Sequence, residues 1–240
     1  MRNPLLTFWC WLHSTWDDRC PCGGHLSLPT TDKALRQCIQ CGLVGRTTRL
    51  TRRATDEFYT AGYYRAWLNG SSRIPRDAVE RGQRRGRLIL EYLTAHSIEV
   101  KGQAVVEIGC GAGGILVEFR EAGATVSGFE LDPACVRVAR AQGIAVNEAT
   151  ANIPNDIAIL SHVLEHTFHP TECLREALSW LQAGGHLYLE YPIFTPHAVV
   201  GPHHNWYFSP TAIRVLCHQL GLTPVDTETP GQALLRWGHP

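Results

Sequence analysis

The sequence has no apolar run that approaches the roughly 20 residues needed to cross a bilayer, so no membrane-spanning helix is expected. Its first thirteen residues, MRNPLLTFWCWLH, are apolar but short. They meet Asp17 and Asp18 where a signal peptide would place a small-residue cleavage site. We therefore expect a structural N-terminal segment and not a signal. The chain also lacks internal repeats and low-complexity tracts.

Neither sign of charge is in excess over the whole chain, because 22 Lys and Arg residues face 22 Asp and Glu residues. A net charge of zero gives no overall field that would attract nucleic acid or an anionic membrane. Arginine is concentrated between residues 46 and 87, where only Asp56, Glu57, Asp77 and Glu80 oppose it. This segment is therefore basic, and the rest of the chain is acidic.

Cysteine is plentiful but is not arranged as a disulfide framework. The nine cysteines are an odd number, and four of them are clustered with the spacing of metal ligands. We therefore expect a reducing compartment and a cytoplasmic protein.

The composition divides the chain into three parts. Residues 1–50, called here the cysteine module, are rich in Cys, Gly, Trp and Thr. Residues 51–98 are rich in Arg, with apolar positions at helical spacing. In residues 99–240, short β-branched runs alternate with helical patterns, which is typical of βαβ units around a parallel sheet. At 240 residues, the chain is long enough for a full α/β core beside one small module.

Five strands with helices between them and a closing antiparallel hairpin predict a doubly wound α/β sheet. Asp132 and Pro133 begin the helix after the second strand, and a turn at residues 183–185 introduces the fifth. Ser209 and Pro210 form an N-cap with proline at the first helical position. The predicted strands are residues 104–108, 125–129, 144–146, 157–160 and 187–190, followed by the pair 223–226 and 233–237.

The loop after the first strand carries the strongest chemical signal. In the segment VVEIGCGAGG (105–114) a strand ends, glycines let a ligand approach the backbone, and a helix N-terminus offers free N–H groups. Glu130 closes the second strand 21 residues after Gly109, where a carboxylate can accept hydrogen bonds from ribose hydroxyls. The alternative is a tight turn that packs helix on strand without a ligand.

The glycine spacing fits two kinds of cofactor site. Gly109, Gly111 and Gly114 satisfy the GxGxxG pattern of dinucleotide-binding proteins, whereas Gly109, Gly111 and Gly113 satisfy the GxGxG pattern of methyltransferases. Glu107 favours the second pattern. Its carboxylate would repel a pyrophosphate, but it suits the cationic sulfonium and ammonium groups of S-adenosylmethionine.

With these motifs, the chain resembles the class I S-adenosylmethionine-dependent methyltransferases. VVEIGCGAGG is similar to their first motif and VSGFELDP (126–133) to their second. Three later segments continue the resemblance in order: DIAILSHVLEH (156–166), LQAGGHLYLEYP (181–192) and HHNWYFSPTAIRVLCHQLGL (203–222). The resemblance implies a Rossmann-like fold, S-adenosylmethionine as cofactor, and methyl transfer. The cofactor contacts that it implies are Glu107, Gly109, Gly111, Gly113, Glu130, Leu131, Ser161 and Tyr64.

The resemblance is incomplete after the third strand. Residues 146–155 lack the aspartate with which this family often binds the adenine amine. Asn147, Glu148 or a backbone group near Ala149 are the alternatives.

A cysteine cluster precedes these motifs. Cys20 and Cys22 have C-x-C spacing, one residue tighter than usual, and Cys38 and Cys41 have the C-x-x-C spacing of a zinc knuckle. Four thiolates around one structural zinc are the simplest interpretation, since four protein ligands leave no open position for catalysis. Replacement of one thiolate by His25, or free buried cysteines, are the alternatives.

A cysteine segment before a methyltransferase domain resembles a group that acts on sugars and related small molecules, including sugar C-methyltransferases. Those proteins carry a Tyr-His-Glu-His run before a Tyr-Phe-Ser segment. Aligned on residues 207–209, this chain has Gly201, Pro202, His203 and His204, of which only His204 matches. We therefore expect a small-molecule or sugar acceptor, with O-methylation favoured, and no more specific substrate.

Histidine is the natural base for an acceptor hydroxyl at neutral pH. His204 is the first candidate, because it lies in a polar and aromatic loop after the fifth strand. His162 and His166 flank the loop after the fourth strand, also at the carboxyl edge of the sheet where ligands bind. Each is alternatively a hydrogen-bonded structural histidine.

The basic segment offers a further contact. In the resembling family a tyrosine-arginine run covers the cofactor cleft, and here Tyr64 or Arg65 would touch the cofactor carboxylate or the acceptor. The alternative is an aromatic stripe that packs a helix on the sheet. The arginines of residues 73–87 form a solvated helix face, or else grip a phosphate such as that of a nucleotide-linked sugar.

Three other functions stay open. They are an RNA methyltransferase whose cysteine module and arginines hold nucleic acid, an NAD-dependent oxidoreductase, and a non-catalytic protein that binds the cofactor. The zero net charge and the lack of a recognisable RNA-binding module argue against the first. No oligomeric state is indicated.

Overall fold

A computed structural model describes residues 4–147, 154–194 and 203–238 of the chain. The cysteine module forms one helix and five short strands, which are α1 (Pro4–Leu12), β1 (Ser14–Trp16), β2 (Leu26–Pro29), β3 (Leu35–Cys38), β4 (Val44–Arg46) and β5 (Thr48–Leu50). β1 pairs antiparallel with β5, and β2, β3 and β4 pair antiparallel in that order. Such short strands bury little surface by themselves, so the module depends on contacts with other parts of the chain.

Three helices follow the module: α2 (Arg52–Thr60), α3 (Tyr63–Asn69) and α4 (Ala78–Ala95). α2 begins at the N-cap Thr51, whose hydroxyl accepts a hydrogen bond from the Ala54 N–H at 3.3 Å. Phe58 of α2 is fully buried against Leu6 and Cys10 of α1. The apolar N-terminal helix therefore packs on α2. No helix in the described part of the chain is long and apolar enough to cross a membrane.

The rest of the chain forms the predicted doubly wound sheet. Its strands stand in the order β12-β13-β10-β9-β6-β7-β8, in which β13 runs antiparallel to both neighbours and the strands from β10 to β8 are parallel. The strands are β6 (Ala104–Ile108), β7 (Thr125–Phe129), β8 (Ala145–Val146), β9 (Asn155–Ser161), β10 (Leu181–Glu190), β11 (Trp206–Tyr207), β12 (Leu222–Asp226) and β13 (Gln232–Trp237). The helices are α5 (Gly114–Glu121), α6 (Pro133–Ala141), α7 (Pro170–Ser179) and α8 (Pro210–Gln219), with a 3₁₀ turn at Leu164–His166.

The predicted helix starts are confirmed. Asp132 accepts a hydrogen bond from the Ala134 N–H at 2.9 Å, and Ser209 accepts one from the Ala212 N–H at 3.1 Å. The turn expected at residues 183–185 is wrong in one respect, because these residues lie inside β10. The register of β10 on β9 shifts between Leu181 and His186, so the glycines form an irregularity within the strand and not a turn before it.

The cysteine module and the large sheet share structure. β11 pairs antiparallel with β4, with Trp206 opposite Gly45, and completes a four-stranded sheet in the order β11-β4-β3-β2. Cys20, Cys38 and Cys41 belong to the same buried cluster as Trp206 and the α8 side chains. The segment that precedes β11, which includes the predicted histidines, is therefore attached to the cysteine module.

Candidate active site

A cleft of about 660 Å³ lies at the carboxyl ends of β6, β7 and β9 and is covered by α2 and α3. The strand order reverses at β6, which is where doubly wound sheets bind ligands, and the volume suits a small molecule. Six of the predicted cofactor residues line the cleft: Tyr64, Gly109, Gly111, Glu130, Leu131 and Ser161.

The glycine loop is shaped by left-handed backbone. Gly109 and Gly111 have φ values of +73° and +54°, and the Gly111 N–H donates to Glu130 Oε2 at 2.8 Å. Gly113 also has positive φ, but a Cβ there would lie 3.0 Å from Ala139 Cβ, so this glycine permits packing and does not line the cleft.

Gly114, the residue that created the GxGxxG alternative, has a different structural role. A Cβ on Gly114 would lie 2.2 Å from the Val79 carbonyl oxygen and 2.8 Å from Gly82 Cα. Glycine is therefore required at this position for the close approach of α5 to α4. The ligand-facing glycines of the loop are Gly109 and Gly111.

Glu130 is held at the edge of the cleft by backbone hydrogen bonds. Its Oε1 accepts from the Asp132 N–H at 2.8 Å, while Oε2 accepts from Gly111. Burial raises the pKa of its carboxyl, although these hydrogen bonds act in the opposite direction. The acid predicted to bind ribose is thus positioned by the loop that would hold the cofactor.

Glu107 lies behind the loop and does not line the cleft. Only 2% of the residue is exposed, and its Oε2 has no hydrogen-bond partner. Burial, reinforced by the charge of Glu130, raises the pKa of Glu107 well above its usual value. Without a cation nearby, burial favours the neutral form of Glu107, and its contact with the cofactor stays a prediction.

His162 lines the cleft in a charged setting. Its backbone has a φ of +54°, and its Nδ1 lies 2.9 Å from Glu165 Oε1. Its Nε2 lies 3.6 Å from Glu190 Oε1. Burial acts to lower the pKa of His162, but the hydrogen bonds to Glu165 and Glu190 outweigh it and raise the pKa to about 9. His162 is therefore a cation at neutral pH and is unsuited to accept a proton.

His166 also lines the cleft but is neutral. Its Nδ1 donates to the His203 carbonyl oxygen at 3.0 Å, and burial lowers its pKa. Its ring lies 5.8 Å, centroid to centroid, from the rings of both Tyr59 and Tyr64. Of the three predicted bases, His166 combines access to the cleft with a neutral imidazole.

His204 stands behind His166 and does not line the cleft. The two rings are 4.9 Å apart, centroid to centroid. Burial and the neighbouring His166 lower the pKa of His204 to about 4. The His204 carbonyl oxygen accepts a hydrogen bond from Arg46 Nε at 3.1 Å, which ties this segment to the cysteine module.

Glu165 and Glu190 were not predicted as functional residues, and Arg85 was predicted only as one of the arginines of residues 73–87. Ser161 Oγ donates to Glu190 Oε2 at 2.7 Å, and Arg85 Nε lies 3.6 Å from the same oxygen. Arg85 therefore belongs to the site. Arg81 and Arg84 of α4 pair with exposed acids, and Arg87 pairs with Glu118, which is buried. Glu190 ends a parallel strand, as Glu130 does, and that position was the available signal.

Residues 80–227 match a methyltransferase domain family, which is more than half of the chain. The chain belongs to this family. It is 31% identical over 122 residues to a ubiquinone biosynthesis O-methyltransferase of Xanthomonas euvesicatoria pv. vesicatoria, a match that covers 45% of this chain and 51% of that protein. A similar enzyme of Xanthomonas axonopodis pv. citri is also 31% identical over the same length. The chain thus spans about half the length of the curated relatives it matches.

Two solved methyltransferases share the fold. One is a 1,6-didemethyltoxoflavin-N1-methyltransferase of Burkholderia thailandensis with bound S-adenosylhomocysteine, at a TM-score of 0.57 and 15% identity over 84% of this chain and 98% of that one. The other is the magnesium protoporphyrin IX methyltransferase of Synechocystis PCC 6803, also with bound S-adenosylhomocysteine. Its TM-score is 0.54 at 19% identity, over 76% of this chain and 95% of that one. Both likenesses show the Rossmann-like fold of the chain.

Of the alternatives for the adenine contact, the structure describes Asn147 and not Glu148 or Ala149. Asn147 uses its side chain on the backbone, because Oδ1 accepts from the Glu130 N–H at 2.9 Å and Nδ2 donates to the Glu130 carbonyl at 2.7 Å. Glu148 and Ala149 lie outside the described residues, as do Gly201 and Pro202.

Arg65 and Tyr64 bring α3 to the cofactor cleft. Arg65 forms an ion pair with Asp132, the N-cap of α6, which follows Glu130 closely in sequence. Tyr64 lies between the cleft and the histidines, with its ring 5.5 Å from that of His203. The tyrosine-arginine run of the chain therefore both lines the cleft and packs against the histidines.

The four predicted cysteines converge at one point. Their Sγ atoms lie within 4.8 Å of one another, three of the separations are 3.3, 3.5 and 3.6 Å, and none of the four forms a disulfide. A tetrahedral zinc with Zn–S bonds of about 2.3 Å separates its sulfurs by about 3.8 Å, so the donor set fits the metal. His25 instead lies 3.3 Å from Asp18. The cluster consists of Cys20, Cys22, Cys38 and Cys41.

Proposed function

We propose that the chain is an S-adenosylmethionine-dependent methyltransferase that methylates a hydroxyl of a small molecule. The observation that carries this proposal is the arrangement of Glu130, Gly109 and Gly111 around the cleft at the switch point of the sheet. The family match, the O-methyltransferase relatives and the two structures with S-adenosylhomocysteine support it.

Different residues of the cleft would hold different parts of the cofactor. Glu130 and the glycine loop hold the adenosine part of the cofactor, and Ser161, Leu131, Tyr64 and Arg65 complete its surroundings. Donors and acceptors fixed in this way align the sulfonium methyl group with the acceptor, and positioning of this kind supplies about 7–11 kcal/mol in favourable cases.

His166 is the residue that we assign as proton acceptor. It faces the cleft as a neutral imidazole, which can accept the proton of a hydroxyl as the oxygen attacks the methyl carbon. The charged His162 and its partners Glu165 and Glu190 lie beside it and would orient the acceptor. His204 stays a candidate through its contact with His166.

The acceptor that we favour is a hydroxylated small molecule, either a phenol or a sugar. The relatives named for ubiquinone biosynthesis support a phenol, and the tyrosines Tyr59 and Tyr64 at the cleft suit an aromatic ring. The cysteine segment supports a sugar. We do not expect a nucleic-acid or membrane partner. A cytoplasmic location and a structural zinc held by the four cysteines belong to the same proposal.

Calorimetry with S-adenosylmethionine, S-adenosylhomocysteine and NAD tests the proposal. We expect binding of the first two and none of NAD. Binding of NAD alone would assign the cleft to an oxidoreductase. Salt-dependent RNA binding would support the RNA methyltransferase instead. Cofactor binding without turnover on a panel of phenols and sugars would leave a non-catalytic protein.

A further inference from the structure

Three histidine rings converge behind the cleft. Their centroids are separated by 4.6, 4.9 and 5.5 Å, and one ring nitrogen from each lies within 4.8 Å of the others. His166 comes from the 3₁₀ turn after β9, whereas His203 and His204 precede β11. Residues from two distant parts of the chain therefore meet in one cluster.

This spacing is that of a metal with three imidazole ligands. A zinc-type ion bonds imidazole nitrogen at about 2.0–2.1 Å, so each ring centroid lies about 3.2 Å from the metal and tetrahedral ligands have centroids about 5.2 Å apart. The three observed separations bracket that value. Ring rotation would bring the nitrogens from within 4.8 Å to about 3.3 Å of one another. We propose that His166, His203 and His204 bind a divalent transition metal, separate from the cysteine site.

Histidines that bind a metal usually donate their other ring N–H to a carbonyl or carboxylate oxygen, and such acceptors are present here. His166 donates its Nδ1–H to the His203 carbonyl oxygen at 3.0 Å, which leaves its Nε2 available to a metal. Glu165 is fully buried, with Oε1 3.7 Å from that Nε2 and with Oε2 lacking any hydrogen-bond partner. The His204 Nδ1 is likewise buried without a hydrogen-bond partner. A bound cation would neutralise the carboxylate and use the histidine nitrogens.

Aromatic side chains pack around the cluster. The rings of Tyr64, Phe58 and Trp67 lie 5.5, 6.3 and 6.3 Å from that of His203. Of the three histidines, His166 alone lines the cleft, so the cluster is reached from there. Three protein ligands leave the fourth position of a tetrahedral metal open toward the cleft.

An open metal position at the acceptor side has a defined use, which rests on the proposed function. A hydroxyl bound to the metal loses its proton to solvent more readily, so in the metal-bound protein His166 acts as a ligand and no longer as the proton acceptor. The oxygen then attacks the methyl carbon of the sulfonium, the carbon–sulfur bond breaks, and sulfur keeps the electron pair as S-adenosylhomocysteine forms. The metal is therefore expected at the acceptor and not at the cofactor.

Metal titration of the full chain tests the site. With excess Zn²⁺ followed by gel filtration, elemental analysis should give two metals per chain, one of them at the cysteines. His204→Ala should lower this to one, while the control His218→Ala, an exposed histidine of α8, should keep two. With Co²⁺, the wild type should show both thiolate and imidazole bands, and His204→Ala should lose only the imidazole bands.

A single metal per wild-type chain with thiolate bands alone, or two metals in His204→Ala, would overturn the site. If His204→Ala does not fold, His203→Asn replaces it in the zinc analysis and the Co²⁺ spectrum. The proposal requires the His203→Asn protein to lose the imidazole bands. Affinity for S-adenosylhomocysteine is measured beside each variant. Binding of two metals without binding of S-adenosylhomocysteine would support the metal site and refute the proposed function. Binding of S-adenosylhomocysteine with only one metal would support the proposed function and refute the metal site.

Discussion

His162 and His166 are four residues apart in sequence and have opposite surroundings. His162 faces the carboxylates of Glu165 and Glu190. His166 is enclosed by aromatic rings, and the carboxylate beside it is that of Glu165. Neighbouring carboxylates favour the imidazolium, and burial favours the neutral ring. The two histidines are thereby given different protonation states at neutral pH, which separates a proton donor from a proton acceptor.

We expect the pKa of His162, measured by NMR titration, to be near 9 and to fall clearly in Glu190→Gln. Because this pKa is raised above the ordinary 6.5, the ion pairs contribute their full stability below about pH 6.5 and lose it as the pH rises through about 9. Urea unfolding at both pH values should therefore show a smaller pH effect in the variant. The exposed Glu172→Gln is the control. A wild-type pKa near 6.5 would contradict the assignment.

Glu130 is the residue whose loss should weaken cofactor binding most directly. Glu130→Ala should reduce the affinity for S-adenosylhomocysteine by about 1.5–3 kcal/mol, which is the range of hydrogen bonds to charged groups. Calorimetry measures this, and a thermal scan shows whether the loop that Glu130 supports through Gly111 has changed. Glu121→Ala, an exposed acid of α5 that does not line the cleft, should bind normally. Equal affinity in Glu130→Ala would move the ribose contact elsewhere.

At the scale of the element, the strands, loops and helix starts that could be predicted are those marked by residues close together in the sequence. The buried strand β6, its glycine loop and the N-cap of α8 can each be recognised within about ten residues. The pairing of β11 with β4 has no such signal, because Trp206 fits against Gly45, where a Cβ would lie 2.6 Å from its ring. Strand pairing across such a separation depends on tertiary packing, which periodicity does not contain.

The same distinction holds for the candidate site. The four cysteines and the acid Glu130 could be predicted because spacing and strand position identify them. The protonation states of His162, His166 and Glu107 could not, because burial and neighbouring charges determine them.

The contact of α4 with α5 permits a test in which two effects oppose each other. Gly82→Ala should gain up to about 1 kcal/mol of helix propensity. Its Cβ would, however, lie 2.8 Å from Gly114 Cα, a backbone atom that cannot move aside alone. Overpacking costs about 1–3 kcal/mol, so we expect a net loss of about 1–2 kcal/mol in the free energy of unfolding by urea. Glu91→Ala on the exposed face of α4 should change little. A stabilised Gly82→Ala would show that the helices separate easily.

At the scale of the whole molecule, the cysteine module and the sheet domain are joined by one buried arginine. Arg49 is 1% exposed, lies 3.0 Å from Asp17 in an ion pair, and places its guanidinium 4.4 Å from the centroid of the Trp206 ring. Arg46 adds hydrogen bonds to His204 and Asn205. The segment that holds two of the clustered histidines is thus supported by residues at the other end of the chain.

Removal of metal from the cysteine cluster should therefore also reduce the order of residues 203–208, which include His203 and His204. The short strands β2 and β3 have little buried surface of their own, so they should lose order without zinc, and β11 should lose its pairing with β4. Hydrogen exchange after treatment with a chelator should show faster exchange at residues 35–46 and 203–208. Residues 104–108, in the centre of the large sheet, should stay protected.

Cys22→Ser separates this effect from metal loss at the three histidines, because it removes a ligand of the cysteine cluster only. It should reproduce the faster exchange at residues 203–208, whereas His204→Ala, at equal folding, should leave residues 35–46 protected. Since the glycine loop and Glu130 follow β6 and β7 of the large sheet and are not part of this segment, affinity for S-adenosylhomocysteine should change little in Cys22→Ser. Unchanged protection of residues 203–208 in Cys22→Ser would mean that Arg49 and Trp206 hold β11 without help from the metal.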